Sequence, residues 1–240
     1  MFMKNLNLVT VAVVIGIAVV CSSCIIAINT IQGNGNIVTS ARTVSSFDKI
    51  HISGEANVLF LKSPEYRVSV TVDSNLDKYV DVYVSGNVLN IKTGYSYSFT
   101  KLQVDVYCPE LTGVSMSGSG HFESSDIIFT PAFTSEISGS GKIGGTIDCG
   151  YFSAKISGSG KIVVSGSSEN SNVSISGSGT FYGNTFTVNT AVVSISGSGD
   201  AYVYATNRLK ADISGSGTVY YQGNPQVDAK IYGSGQVKKM

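Results

Sequence analysis

The sequence has no tryptophan, two histidines and four cysteines in 240 residues. Histidine and cysteine are the common ligands of transition metals, and histidine is the commonest general base. There is therefore little stock for a metal centre or a His-dependent active site. Charge is also scarce: 13% of residues carry one, and 16 basic residues balance 16 acidic ones. Zero net charge without a Lys/Arg run argues against nucleic acid, or an anionic membrane surface, as the main partner. Long disorder does not fit either, because 13 Tyr and 10 Phe are spread among many Val and Ile. What is abundant is glycine, 27 residues, beside an apolar content of 42%. That suffices for a packed core in one domain or two small ones.

Lys4 is the only charge before residue 42, and residues 8–20 form an apolar stretch of 13. Cys21-Ser22-Ser23-Cys24 follows. Small residues and a cysteine directly after an apolar run resemble the lipobox of bacterial lipoproteins. The resemblance implies a signal peptide over 1–23, cleavage before Cys24, and acyl chains such as palmitate on that residue as a membrane anchor. The alternative is an uncleaved transmembrane helix, since residues 8–28 supply 21 mostly apolar positions. Ser-Ser-Cys suits processing better than it suits mid-membrane. Cleavage removes one charge, Lys4, leaving 15 basic and 16 acidic residues, a net charge of −1. Residues 24–41 read as a lipidated tether.

The rest of the chain is a repeat. Gly-Ser-Gly begins at Gly118, Gly139, Gly158, Gly177, Gly197, Gly215 and Gly233, in steps of 21, 19, 19, 20, 18 and 18 residues. Ser precedes six of the seven copies, and Tyr232 precedes the last. Two residues before the first Gly stand Met116, Ile137, Ile156, Ile175, Ile195, Ile213 and Ile231. Four after it stand Phe122, Ile143, Ile162, Phe181, Ala201, Val219 and Val237. Even offsets are apolar or Gly, and odd offsets are mostly Ser, Thr, charged residues or Tyr. That period of two is the mark of strands with one buried face.

A unit of this length cannot bury its face alone. Stacking units as coils, one strand spacing of ~4.8 Å per turn, gives each backbone group a partner above and below. It also puts the Ile column inside. The expected fold is all-β, a β-helix or β-solenoid of 18–21-residue coils, right-handed by the general bias of parallel crossovers. A sandwich or a propeller is the alternative, but a propeller blade needs about twice this period.

Residues 42–113 are less regular. Segments such as Phe47-Asp48-Lys49-Ile50-His51-Ile52 and Arg67-Val68-Ser69-Val70-Thr71-Val72 read as strands, and residues 74–80 as a short helical turn. Ser53-Gly54 and Ser85-Gly86 look like degraded motifs. The region is expected to form opening coils of one single domain, 42–240, with regular coils over 114–240.

Several segments resemble a known family. Arg42-Thr43-Val44-Ser45-Ser46-Phe47-Asp48-Lys49-Ile50 is similar to the opening of the putative auto-transporter adhesins with a head GIN domain. Val106-Tyr107-Cys108-Pro109-Glu110-Leu111, the serial Ser-Gly-Ser-Gly units and Tyr220-Tyr221-Gln222-Gly223-Asn224-Pro225 match the rest of that pattern. The resemblance implies a bacterial lipoprotein with a β-helical domain and an adhesin-like role. It supplies no catalytic residues. The apolar stretch directly after Cys24 departs from the usual polar tether.

The remaining chemistry is thin. Gly-x-Gly here is no phosphate loop, since no Lys-Ser/Thr follows on a helix. The repeated serines have no repeated His or Lys partner, and they read as a stacked ladder sharing hydrogen bonds. His51 and His121 lack ligand spacing, so neither a metal nor a cofactor is expected. Asp200, Asp212 and Asp228 sit at different offsets and form no single column. Glu136 beside Lys155, and Asp212 beside Lys230, read as opposite charges on neighbouring coils. Cys108 and Cys149, at similar places two coils apart, are expected to be free thiols, because ~9.6 Å exceeds the reach of a disulfide. Tyr182, Tyr202 and Tyr220 share one outward offset in consecutive coils, a possible binding strip for sugar faces or a protein. Tyr204 is expected to face the other way.

The function implied is a noncatalytic envelope lipoprotein, most simply of the outer membrane. It would present a flat face to a glycan or a cell-surface protein. A polysaccharide-cleaving enzyme on a β-helix and a periplasmic structural protein are the alternatives.

Overall fold

The computed structural model describes residues 30–94 and 97–240. The chain divides into two compact units, Met1–Ile31 and Gln32–Met240. The first falls almost wholly outside the described residues, and with it the leader, Cys21 and Cys24. The second is nearly all β, and its one helical element among the described residues is the 3-10 turn Asp77–Tyr79.

Alternation builds the coils. Lys142–Gly158, Lys161–Gly177, Thr180–Gly197 and Asp200–Gly215 are extended runs of 17, 17, 18 and 16 residues. Each pairs in parallel with the coil before and after. The register carries motif onto motif: Ile137 on Ile156 on Ile175, and Gly139 on Gly158 on Gly177. Ile156, Ile175, Ile195 and Ile213 are buried, as are Ile143, Ile162, Phe181 and Val219 beyond the corner. The result is a β-solenoid of about seven turns.

Two bends shape each coil. At the Gly-Ser-Gly corner, Gly118 has φ +129°, and a Cβ there would stand 2.5 Å from the Gly54 carbonyl oxygen of the adjacent coil. A Cβ on Gly120 would stand 2.8 Å from the carbonyl oxygen of Ala56. Only glycine fits. At the second bend two consecutive residues face outward, Gly150-Tyr151 and then Glu169-Asn170, so that inward packing resumes at Phe152 and Ser171. Phe133, Phe152 and Phe186 fill the interior behind it, with the Phe152 and Phe186 rings 4.9 Å apart.

The opening differs from a run of coils. Lys49–Gly54 and Asn57–Lys62 do form one, with Gly54 on Gly118, Ile52 on Met116 and Val58 on Phe122. Ser53-Gly54 is thus a genuine corner. Ser85-Gly86 is not: Gly86, at φ +61°, turns a two-residue hairpin between antiparallel Val80–Ser85 and Val88–Thr93. Ile37–Arg42 pairs antiparallel with Arg67–Asp73, which pairs antiparallel with Leu102–Cys108. Val88–Thr93 and Leu102–Cys108 in turn lie parallel to the two strands of the first coil. These two strands thus add a further layer in register with the first coil, and the antiparallel strands Ile37–Arg42, Arg67–Asp73 and Val80–Ser85 cap it. Ile37–Arg42 also draws into the sheet part of the stretch read as tether. Alternation specifies a strand, but neither its partner nor its direction.

The buried Asp73 carboxylate ties the cap together by accepting from the backbone N–H of Gly35 and of Thr100, each at 2.8 Å. At the other end Val227, Ala229 and Ile231 stand in the inward column yet are exposed. Their counterparts one coil in, Leu209, Ala211 and Ile213, are buried.

Candidate functional site

Tyr182, Tyr202 and Tyr220 lie on the strand that follows the corner, in register with one another. Their rings stack with centroids 5.1 Å and 4.7 Å apart and planes within 8°. Both faces of Tyr202 are therefore covered. What the strip turns to solvent is ring edges and hydroxyls rather than a flat aromatic surface. Burial raises the Tyr202 phenol above its usual range, helped by Tyr220, Asp200 and Tyr182 beside it. It stays a neutral donor at physiological pH. Tyr204 also faces outward, half-buried between buried Val203 and Ala205. Counted from Gly197 it has the parity of Tyr202, which corrects the expectation of an opposite face.

The strand before the corner carries two outward columns, one on each side of the buried isoleucines. Next to the corner Ser117, Ser138, Ser157, Ser176, Ser196 and Ser214 stand in register, followed by Tyr232. The second column runs His51, Ser115, Glu136, Lys155, Ser174, Ser194, Asp212, Lys230. Between the columns lies a groove. One stretch, of about 430 Å³, is bordered by His51, Ser115, Glu136, Ser138, Lys155 and Ser157. Another, of about 390 Å³, is bordered by Ser174, Ser194, Ser196, Asp212, Ser214, Lys230 and Tyr232.

The serine column does not share hydrogen bonds as its ladder pattern suggests. Among the described residues no bond joins neighbouring hydroxyls of Ser117, Ser138, Ser157, Ser176, Ser196 and Ser214. Coil spacing alone does not part them, since Thr146 Oγ1 and Ser165 Oγ, register partners on neighbouring coils, lie 2.8 Å apart. The expected charge pairs are register neighbours but not ion pairs. Asp212 meets Lys210 on its own strand at 3.1 Å, and Asp228 meets Arg208 at 3.8 Å. One pairing escaped the sequence reading: His51 Nδ1 lies 2.8 Å from Ser115 Oγ. Its signal was present, because both residues stand three before their motif glycines, Gly54 and Gly118.

His121 lies beyond the corner, 3.6 Å from Glu123. Burial lowers its pKa, and neighbouring Lys142 lowers it further against the pull of Glu123. No cluster of three metal-ligating side chains occurs among the described residues. Cys108 and Cys149 are free thiols. They are not equivalent in the coils, however: Cys108 pairs with Lys62 of the first coil, and Cys149 pairs with Thr130 and Ser168. Burial pushes the Cys108 thiol up to about 12 and raises that of Cys149 as well.

Residues 46–225 match the protein family described as "Putative auto-transporter adhesin, head GIN domain". The chain belongs to this family. Solved structures share its fold. A putative adhesin from Bacteroides fragilis superposes with a TM-score of 0.83 at 22% identity, covering 88% of this chain and 100% of its own. A putative adhesin from Parabacteroides distasonis gives 0.74 at 24% identity, over 88% and 100%. A putative lipid binding protein from the same species gives 0.73 at 28% identity, over 88% and 99%. No curated protein matches the chain. Membership in the head GIN family supports an adhesin-like role and a place at the cell surface or envelope.

Proposed function

We propose that this head GIN protein is a noncatalytic adhesin-like module, anchored in the outer membrane through acyl chains on Cys24. Its outward solenoid faces make the contact with a glycan or a cell-surface protein. The observation that carries this reading is the arrangement of exposed side chains in straight columns on a rigid scaffold. Tyr182, Tyr202 and Tyr220 form one such column, and the serines before the corner form another. Such columns suit many weak contacts to an extended or repeating partner. The Tyr strip, with both ring faces of Tyr202 occupied, contributes mainly edges and hydroxyls.

Within the groove before the corner, carboxylate placement weighs against glycan cleavage, because its lining supplies only Glu136 in one stretch and Asp212 in the other. Glu136 and Asp212 stand four coils apart, roughly 19 Å at the coil spacing. Paired glycosidase carboxylates stand about 5–9.5 Å apart. The test is protease treatment of intact cells, with binding of those cells to host cells and matrix scored in parallel. Loss of the protein and of adhesion together supports the proposal. A fully protected protein makes it a periplasmic structural component instead. Cys24→Ala should abolish incorporation of labelled palmitate and release the protein from the membrane fraction. Retention at the membrane would favour the uncleaved helix.

A further inference from the structure

We propose that the groove before the glycine corner binds a linear, uncharged glycan lying along the solenoid axis. This deepens the adhesin-like reading and rests on it. The first support is what packing leaves unexplained. The glycines of the motif are required by the backbone of the adjacent coil, and the isoleucines by the core. Nothing in the fold requires the serines. Ser138, Ser176, Ser196 and Ser214 are exposed, at strand positions where Thr, Val or Tyr would serve the sheet better. Yet serine fills that position in six of the seven repeats. A small residue keeps the groove open, and a hydroxyl lines it with a group that both donates and accepts.

The second support is shape and charge. The two stretches, of about 430 and 390 Å³, lie along the same pair of columns. From Lys49–Gly54 to Gln226–Gly233 those columns cross eight strands, or roughly 34 Å. That is the footprint of an extended chain rather than of a compact ligand. Glu136, Lys155, Asp212 and Lys230 alternate in sign along the wall, so the groove has no net preference for a polyanion or a polycation. A neutral polyol matches hydroxyls that have no protein partner.

The third support is the one departure from serine. Tyr232 takes that column's place in the last repeat, is 70% exposed, and lines the groove's end. Unlike Tyr202, its ring stacks on no other among the described residues, so a ring face is open to a sugar.

Purified full-length protein in detergent is titrated with cellohexaose, laminarihexaose and chitohexaose and with the matching disaccharides. We expect at least one hexasaccharide to bind, and its disaccharide to bind about tenfold more weakly or worse. Replacing Ser157, Ser176 and Ser196 together by Val keeps strand propensity and should weaken binding about tenfold. Tyr232→Ala should weaken it about fivefold, and Tyr151→Ala, at the exposed second bend, should leave it unchanged. Thermal melts confirm that each variant is folded. The proposal is overturned if no hexasaccharide binds, if the disaccharide binds as well, or if the folded triple variant binds like the parent. Should any of these occur while cells bearing the protein still adhere, the groove assignment falls and the adhesin-like reading stands. If surface-exposed protein confers no adhesion either, both fall.

Discussion

Single side chains in this solenoid are judged by their column, because each inward residue is pressed between its counterparts one coil above and below. Ser135 is the polar exception in a column that otherwise holds Val114, Ala154 and Val173, and its buried hydroxyl has no partner. An unpaired buried hydroxyl costs about 1–3 kcal/mol. Ser135→Ala is therefore expected to stabilise the protein by about 1 kcal/mol, visible as a melting temperature raised by roughly 2–4 °C. Asp73 is the opposite case, a buried carboxylate whose hydrogen bonds are made. Burial alone would raise its pKa, but donation from the Gly35, Thr100 and Lys101 N–H groups outweighs this, and the net shift is downward. A depressed folded pKa contributes stability that is present above the unfolded value of about 3.9 and lost as pH falls through the folded one. Melting temperatures of the parent and Asp73→Asn should differ by a constant amount from pH 7 to about pH 5. The gap should narrow below pH 4. A gap that widens on acidification would show that Asp73 is not ionised in the folded cap.

At the scale of the element, the Tyr column shows how a ladder uses its own side chains. Tyr202 stacks on both neighbours, whereas Tyr182 and Tyr220 each stack on one tyrosine ring. Aromatic cross-strand pairs contribute about 0.5–1 kcal/mol each. Tyr202→Ala is expected to destabilise by about one such pair more than Tyr182→Ala does, as measured by chemical denaturation. Tyr151, 45% exposed at the second bend, is the proper control, since Tyr204 shares the outward side. Equal losses at Tyr182 and Tyr202 would mean that stacking contributes little.

The whole molecule is protected unevenly. Antiparallel strands close one end of the stack, while the last coil leaves Val227 and Ile231 38% and 42% exposed. In a solenoid stability is close to a sum over neighbouring coils, so a coil with one neighbour opens first. Hydrogen exchange on the full protein should be fastest across Gln226–Gly233 and Gln236–Lys239 and slowest in the central coils from Lys142 to Gly197. Comparable protection in the last coil would show that something covers that end in solution.

Coil architecture was legible in the residues because the physics is local and repeated. Period-two alternation assigns the faces, and glycine pairs every 18–21 residues mark where the backbone is too close for a Cβ. The outward Tyr182, Tyr202 and Tyr220 followed from the same columns, whereas Cys108 and Cys149 are free without holding the equivalent places that the motif spacing suggested. The cap was not legible: Ile37–Arg42 and Arg67–Asp73 alternate like coil strands, but strand direction depends on which edges remain unpaired once the chain folds back. Nor did the columns show that Tyr202 would lose both ring faces to its neighbours, or that His51 would reach Ser115. Sequence periodicity alone determined which residues share a column. Side-chain torsions and the fixed spacing between coils, set only in the folded stack, decided which of them touch and which are left facing water.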